Sequence, residues 1–407
     1  MRRSLLLSLP ALLATAAYAH AQTGGARAAD PNLERALRVL RTSPLIDGHN
    51  DLPWAIRESK SAPHDVEAYD LRRTTPGHTD LARLSAGHLG GQFWSVYIPG
   101  DTTVAREGFA KVQLEQIEIA RRVISKYPER FEAVTTAAGF RAAFARGHIG
   151  SALGMEGGHA IENSLGALRA FYDLGARYLT ITHNQTLAWA DAAADSARHG
   201  GLTEFGREVI REMNRLGMLV DLSHVSPATM SDALAVAEAP VIFSHSNARA
   251  LTDVVRNVPD SILQRLPKNG GVVMVTFVPG FSSQEVADWN RVPMAQRPSG
   301  RTPPRATLAQ VADHVEHIRR VAGVDHVGIG GDFDGIEDVV VGLEDVSAYP
   351  RLFAELSRRG WSEADLKKLA GENVLRAFTQ AEIVSARLRK ARPPSTRTIE
   401  AMDGRGR

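Results

Sequence analysis

Eight short apolar runs punctuate the chain, at Pro44–Asp47, Phe93–Ile98, Gly150–Met155, Tyr178–Thr182, Met218–Leu222, Val241–Ser244, Val272–Val278 and Val327–Gly330. They are rich in Val, Ile, Leu and Thr. Runs this short and this apolar read as strands buried on both faces, as in a parallel sheet covered on both sides. Helical patterns fill the intervals. Thr203 precedes a segment with Phe205, Val209, Ile210, Met213 and Leu216 on one side, and Gly217 follows it. A hydroxyl can cap the first free amides of such a helix, and glycine can take the left-handed turn that stops it. Leu308, Val311, Val315 and Ile318 mark a second stripe. Eight strands alternating with helices in 407 residues lead to one α/β domain, a (β/α)8 TIM barrel. The competing layout is an open doubly wound sheet. No Gly-x-Gly-x-x-Gly turn follows the first run to support it.

The ends read differently. Arg2 and Arg3, the apolar stretch Leu5–Ala17 and the small-x-small site Ala19-His20-Ala21 form an export signal over residues 1–21. A linker and leading helix are expected over 22–43, the barrel over 44–382, and a basic, disordered tail over 383–407. A periplasmic or secreted protein is therefore expected, without a membrane anchor. Cleavage after Ala21 removes two positive charges from a chain of net charge +2, so the mature protein is formally neutral. That balance gives no reason to expect nucleic acid or an anionic membrane as partner.

There is no cysteine. Disulfides, thiolate metal sites and cysteine nucleophiles are excluded, and any metal must be held by His, Asp, Glu or water. In a TIM barrel the chemistry sits where the strands end. After the first run come His49 and Asp51, and after the third comes Glu156. His183 follows the fourth run, His224 the fifth, His245 the sixth and Asp332 the eighth. A lone histidine at a strand end is usually a hydrogen-bonded loop residue. Four imidazoles and three carboxylates converging on one barrel mouth are costly unless they are paired or hold metal. Without sulfur the set suits zinc or a harder ion such as manganese. One carboxylate can bridge two cations that clamp a hydrolytic transition state. His314 and His317 flank Glu316 without either protease zinc pattern and are expected on a solvated helix face. Asp332-x-Asp334-Gly335 shares a fragment with calcium loops, but its glycine comes too early. His159 lies close in sequence to Glu156 and reads equally well as a neighbour of the site or as an ordinary loop residue.

With these residues in place, the sequence resembles the membrane dipeptidase (renal dipeptidase) family, peptidase family M19, from about Leu45 to Phe378. The motifs that carry the resemblance are Ile46-Asp47-Gly48-His49-Asn50-Asp51, Gln92-Phe93-Trp94-Ser95-Val96-Tyr97, Gly154-Met155-Glu156-Gly157 and Thr182-His183-Asn184. Further along stand Asp221-Leu222-Ser223-His224-Val225-Ser226, Phe243-Ser244-His245-Ser246, Arg256-Asn257-Val258-Pro259-Asp260 and Gly330-Gly331-Asp332-Phe333-Asp334-Gly335. The resemblance implies a dipeptidase with two Zn2+ ions per chain, Mn2+ or Co2+ being alternatives. It implies that His49 and Asp51 hold one ion, that His224 and His245 hold the other, and that Glu156 bridges them. His183 would contact substrate, Arg256 would engage its carboxylate, and Asp332 would stand beside the metal-bound water. Peptide hydrolysis by a metal-bridging hydroxide follows, with His183 stabilising the oxyanion and Asp332 moving the proton.

Gly100 and Gln185 stand where animal members carry an intrachain cysteine pair. The homodimer known in the family is left open here. A lactonase or an acyl-amino-acid deacylase on the same barrel is the nearest alternative. A non-catalytic periplasmic binding protein is an alternative of another class.

Overall fold

The computed structural model of the chain describes residues 30–297 and 300–404. The expected export signal and nearly all of the linker lie outside these residues. Among the described residues, nine strands form one sheet: β1 Leu45–Asn50, β2 Leu89–Ser95, β3 Phe131–Ala133, β4 Ile149–Glu156, β5 Ala176–Thr180, β6 Leu219–Asp221, β7 Ile242–Phe243, β8 Val272–Val275 and β9 Val327–Ile329. They run in the order β2-β1-β9-β8-β7-β6-β5-β4, every pair parallel. Strand β2 then pairs with β4, from Gly91 opposite Gly150 to Ser95 opposite Gly154. That pairing closes an eight-stranded (β/α)8 TIM barrel.

Each expected run is a barrel strand, with its ends shifted by a few residues. Strand β3 is the addition. It shares one edge of β4 with β5, pairing with residues 149–151 while β5 pairs with 153–156. Only Phe131 of its three residues is buried, so β3 has too little apolar pattern to be legible in sequence.

The strands are wrapped on both faces. Ile46, Phe93, Ala152, Tyr178, Leu219, Ile242, Val272 and Met274 form one buried cluster with Phe140 and Phe378. Full burial contributes roughly 1.5–3 kcal/mol for each large apolar side chain. The charged residues at the strand ends therefore sit above a packed plug, not a pore.

The helix Glu204–Leu216 begins and ends as its residues dictate. The Thr203 hydroxyl accepts from the Gly206 amide at 3.2 Å, and Gly217 takes φ +84°. Asp403 adds a second cap, accepting from the Thr203 hydroxyl at 2.6 Å and the Phe205 amide at 3.1 Å.

That contact bears on the C-terminal end, expected to be a disordered tail from residue 383. A helix spans Asn373–Ala391 across that boundary, and a short helix follows at Ile399–Asp403. The basic side chains are the reason. Arg389 donates to the Leu216 carbonyl at 2.8 Å and Arg392 to the Arg211 carbonyl at 2.7 Å. The first satisfies a free carbonyl at the negative end of the helix Glu204–Leu216, and the second adds a bond one turn earlier.

His314 and His317 also depart from expectation. They are 1% and 6% exposed. The segments after β7 and β8 fold over this helix face, so that the Ala248 amide donates to His314 Nδ1 at 3.1 Å. His314 Nε2 donates to the Ser282 carbonyl at 3.2 Å. Among the described residues, no helix is long and apolar enough to cross a membrane.

Candidate metal centre

The strand ends deliver the expected residues to one place. His49 lies at the end of β1 and Asp51 just after it, Glu156 ends β4, and His183 lies three residues beyond β5. His224, His245 and Asp332 follow β6, β7 and β9. Glu156 is central. Its Oε1 lies 2.9 Å from His224 Nε2 and 3.3 Å from His245 Nε2. Its Oε2 lies 3.4 Å from His49 Nε2, and that nitrogen is 3.2 Å from Asp51 Oδ2.

Among the described residues, three sets of side chains bring donor atoms within 4.8 Å of one another. They are His49, Glu156 and His245; Glu156, His183 and His224; and His49, Asp51 and Asp332.

Proton bookkeeping shows what these atoms are for. The Tyr178 hydroxyl donates to the Gly48 carbonyl at 3.2 Å and so accepts from His49 Nδ1 at 2.9 Å. The Ser244 hydroxyl donates to Asp221 at 2.6 Å and so accepts from His245 Nδ1 at 2.8 Å. His224 Nδ1 donates to Asn184 Oδ1 at 3.2 Å. In the neutral tautomer each ring thus keeps its proton on Nδ1 and turns a lone pair inward from Nε2. His224 Nε2 and His245 Nε2 face each other at 2.9 Å, and both face a carboxylate. His49 Nε2 and Asp51 Oδ1 are buried with no hydrogen-bond partner. Acceptors opposed in this way need a cation between them. Three imidazoles and two carboxylates, with their outer nitrogens held, fit divalent zinc, manganese or cobalt.

The electrostatics agree. Burial, with Arg256 and His183 nearby, holds His224 well below the ordinary imidazole range. Burial and His49 do the same to His245. Burial also pushes His49 down, but Tyr178, Asp51 and Glu156 outweigh it and leave the ring well above its usual range. Positive charge is favoured at that nitrogen. Burial pushes Glu156 up, yet His49, His224 and His245 hold it well below the carboxylate range. Asp332 moves the other way, pushed well up by burial and then by Asp51 and Glu156.

Local geometry is bent to serve the cluster. His224 and Asp332 adopt φ of +69° and +66°, a left-handed conformation that costs non-glycine residues of the order of 1 kcal/mol. A Cβ on Gly335 would lie 2.2 Å from Asp51 Oδ2 and 2.7 Å from Asp332 Oδ1. A Cβ on Gly154 would lie 2.0 Å from the Tyr178 ring, which crosses there to reach His49.

His183 differs from the other three histidines. Among the described residues, no hydrogen bond fixes either of its ring nitrogens. Its ring lies against His224 at 4.4 Å and Tyr97 at 4.9 Å, and burial lowers its pKa. His159 turns aside, donating from Nε2 to the Ile98 carbonyl at 3.0 Å. Gly100 and Gln185 are neighbours, since a Cβ on Gly100 would lie 2.5 Å from Gln185 Oε1.

Above the cluster opens a cavity of about 510 Å3 whose wall includes Trp54, Tyr97, Val278, Phe281, Ile336 and Arg256. Arg256 is 6% exposed and its Nη1 has no partner. No carboxylate among the described residues forms an ion pair with it. Its closest described interaction is with the Phe281 ring, 5.3 Å from the guanidinium carbon. Burial draws it down to about 10. Sequence reasoning missed the apolar wall and the groups behind the histidines, Tyr178 and Ser244. Ser244 carried a signal, being adjacent to His245, whereas Tyr178 is read only as a strand residue.

Comparison with known proteins decides the family. The sequence profile of the membrane dipeptidases, peptidase family M19, matches residues 33–392. The chain belongs to this family. It is a metal-dependent dipeptidase. A crystal structure of dipeptidase AC, a metallopeptidase of family M19, is 28% identical, with a TM-score of 0.72, over 84% of this chain and 99% of that one. A metallopeptidase from Rhodobacter sphaeroides, solved with a phosphinate mimic of the dipeptide L-Ala-D-Ala, is 27% identical, with a TM-score of 0.72, over 83% and 99%. A probable dipeptidase from Pseudomonas aeruginosa shares the fold, with a TM-score of 0.74 at 24% identity over 87% and 99%.

Proposed function

We propose that this dipeptidase binds two zinc ions per chain, with manganese or cobalt as substitutes, and cleaves dipeptides that have a free C-terminal carboxylate. His49 and Asp51 would hold one ion, His224 and His245 the other, and Glu156 both. Bound there, the pair supplies water activated near neutral pH and a Lewis acid for the scissile carbonyl. The chain's own residues do the rest. Asp332 accepts a proton from the water and returns it to the leaving amine, a role suited to a carboxyl whose pKa burial raises. His183, held neutral and free of other partners, donates to the developing oxyanion. Arg256 receives the substrate's carboxylate.

The observation that carries the substrate reading is Arg256 itself. A buried guanidinium that feels Glu156, Asp332 and Asp221 only at a distance and forms no ion pair with them is costly in the free enzyme and is relieved when a carboxylate arrives. The phosphinate dipeptide mimic held by the Rhodobacter sphaeroides relative supports the same substrate class. A lactone has no free carboxylate for Arg256 to receive, whereas an N-acyl amino acid has one, so Arg256 weighs against the lactonase and the membership of the dipeptidase family weighs against the deacylase. We also propose that the protein acts in the periplasm or outside the cell, on the strength of residues 1–21. Rates on matched panels of dipeptides, N-acyl amino acids and lactones test the substrate reading. Dipeptides should dominate, and faster turnover of lactones or acyl amino acids would overturn it.

A further inference from the structure

Asp221 takes no part in the reaction outlined above, yet it lies directly behind the half of the site that contains His224 and His245. Its side chain is fully buried, at 0% exposure. Its partners are hydroxyls and amides, and each of them donates. Oδ1 accepts from the Ser223 amide at 3.1 Å and the Ser244 amide at 2.8 Å. Oδ2 accepts from the Ser244 hydroxyl at 2.6 Å and from the Thr180 hydroxyl. These donors come from β5 and from the segments after β6 and β7. Two oxygens facing four donors require a carboxylate, because an asparagine would turn its own NH2 towards donors.

The Ser244 hydroxyl has one proton. Giving it to Asp221 leaves a lone pair for His245 Nδ1, at 2.8 Å. That bond keeps the His245 proton on Nδ1 and the lone pair on Nε2, which faces Glu156 at 3.3 Å. The amides that Asp221 holds belong to the residues immediately before His224 and His245. The Ser223 hydroxyl in turn accepts from the His245 amide at 3.0 Å.

We infer that Asp221 is a positioning residue for the cation held by His224 and His245. Through Ser244 it sets the tautomer of His245, and through two amides it aligns both histidine-bearing strand ends. The inference rests on the two-cation reading. A residue that merely braced three strands would affect stability but not discriminate between the ions.

The test is cobalt(II) titration of chelator-stripped protein, followed by visible absorption and by counting bound ions, on wild type, Asp221→Asn, Ser244→Ala and Thr180→Val. Thr180 serves as the control, since its hydroxyl touches Asp221 but neither histidine. Wild type should bind two ions. Asp221→Asn and Ser244→Ala should weaken one ion about 10- to 100-fold and leave the other unchanged. Thr180→Val should bind both ions normally. Wild-type affinity for both ions in Ser244→Ala overturns the inference, even where Asp221→Asn does not fold. So does a loss in Thr180→Val equal to that in Ser244→Ala. A wild-type chain that takes up no stoichiometric metal overturns the two-cation reading, and this inference with it.

Discussion

Replacing Arg256 with methionine removes the charge while keeping most of the volume. Burial lowers this guanidinium from its ordinary range to about 10, which corresponds to ~3 kcal/mol against the charged form. The sign follows from the direction. The folded pKa lies below the unfolded one, so the penalty is fully present at neutral pH. It is relieved only as pH rises through about 10 towards the ordinary guanidinium range. Loss of the contact with Phe281, 5.3 Å away, gives back about 0.5–2 kcal/mol. Arg256→Met should therefore leave the free enzyme as stable as wild type, or more so.

Catalysis should move the other way. A charge-assisted hydrogen bond to a substrate carboxylate contributes about 1.5–3 kcal/mol. At ~1.4 kcal/mol per decade its loss lowers kcat/KM on dipeptides roughly 10- to 150-fold. C-terminally amidated dipeptides should lose far less, and metal content should not change. Thermal melts and paired kinetics on acid and amide substrates measure both effects. Equal losses on the two substrates, or a fall of several degrees in Tm, would refute the carboxylate clamp.

Glu156→Gln should lose most bound metal and nearly all activity, because a neutral amide is a poor ligand for the cations that Glu156 would share with His49, His224 and His245; elemental analysis of the purified variant checks this. Asp332→Asn should retain metal but lower kcat by roughly 10^2-fold or more, as expected when a proton-transfer group is removed. A variant with wild-type kcat would exclude Asp332 from that role. Protein purified from its native host should begin near Gln22, and N-terminal sequencing that finds Met1 on the active form would remove the export signal.

Much of the architecture is legible in the sequence because burial on both faces leaves few ways to write a parallel strand. Strands such as Ile149–Glu156 and Val272–Val275 are buried along their whole length. The site residues are legible for a related reason: each closes a run whose apolar pattern ends there. What escaped depends on contacts between distant segments. The helix that carries His314 looks amphipathic with a polar back, but Ala248 and Ser282 cover that back. The basic C-terminal end reads as loose because its partners, such as the Leu216 carbonyl, lie far away in sequence. Tyr178 is an ordinary strand residue until the close approach to Gly154 puts its hydroxyl on His49. The unpaired state of Arg256 is likewise a property of its surroundings and has no sequence signature.

The most direct test is to strip the purified protein of metal, restore zinc in measured equivalents, and follow dipeptide hydrolysis alongside metal positions located by anomalous diffraction. Two ions per chain are expected, on either side of the Glu156 carboxylate, one beside His49 and Asp51 and one beside His224 and His245. Full activity should return only as both sites fill. Full dipeptidase activity in protein that holds no stoichiometric zinc, manganese or cobalt, or ions bound away from Glu156, would contradict it.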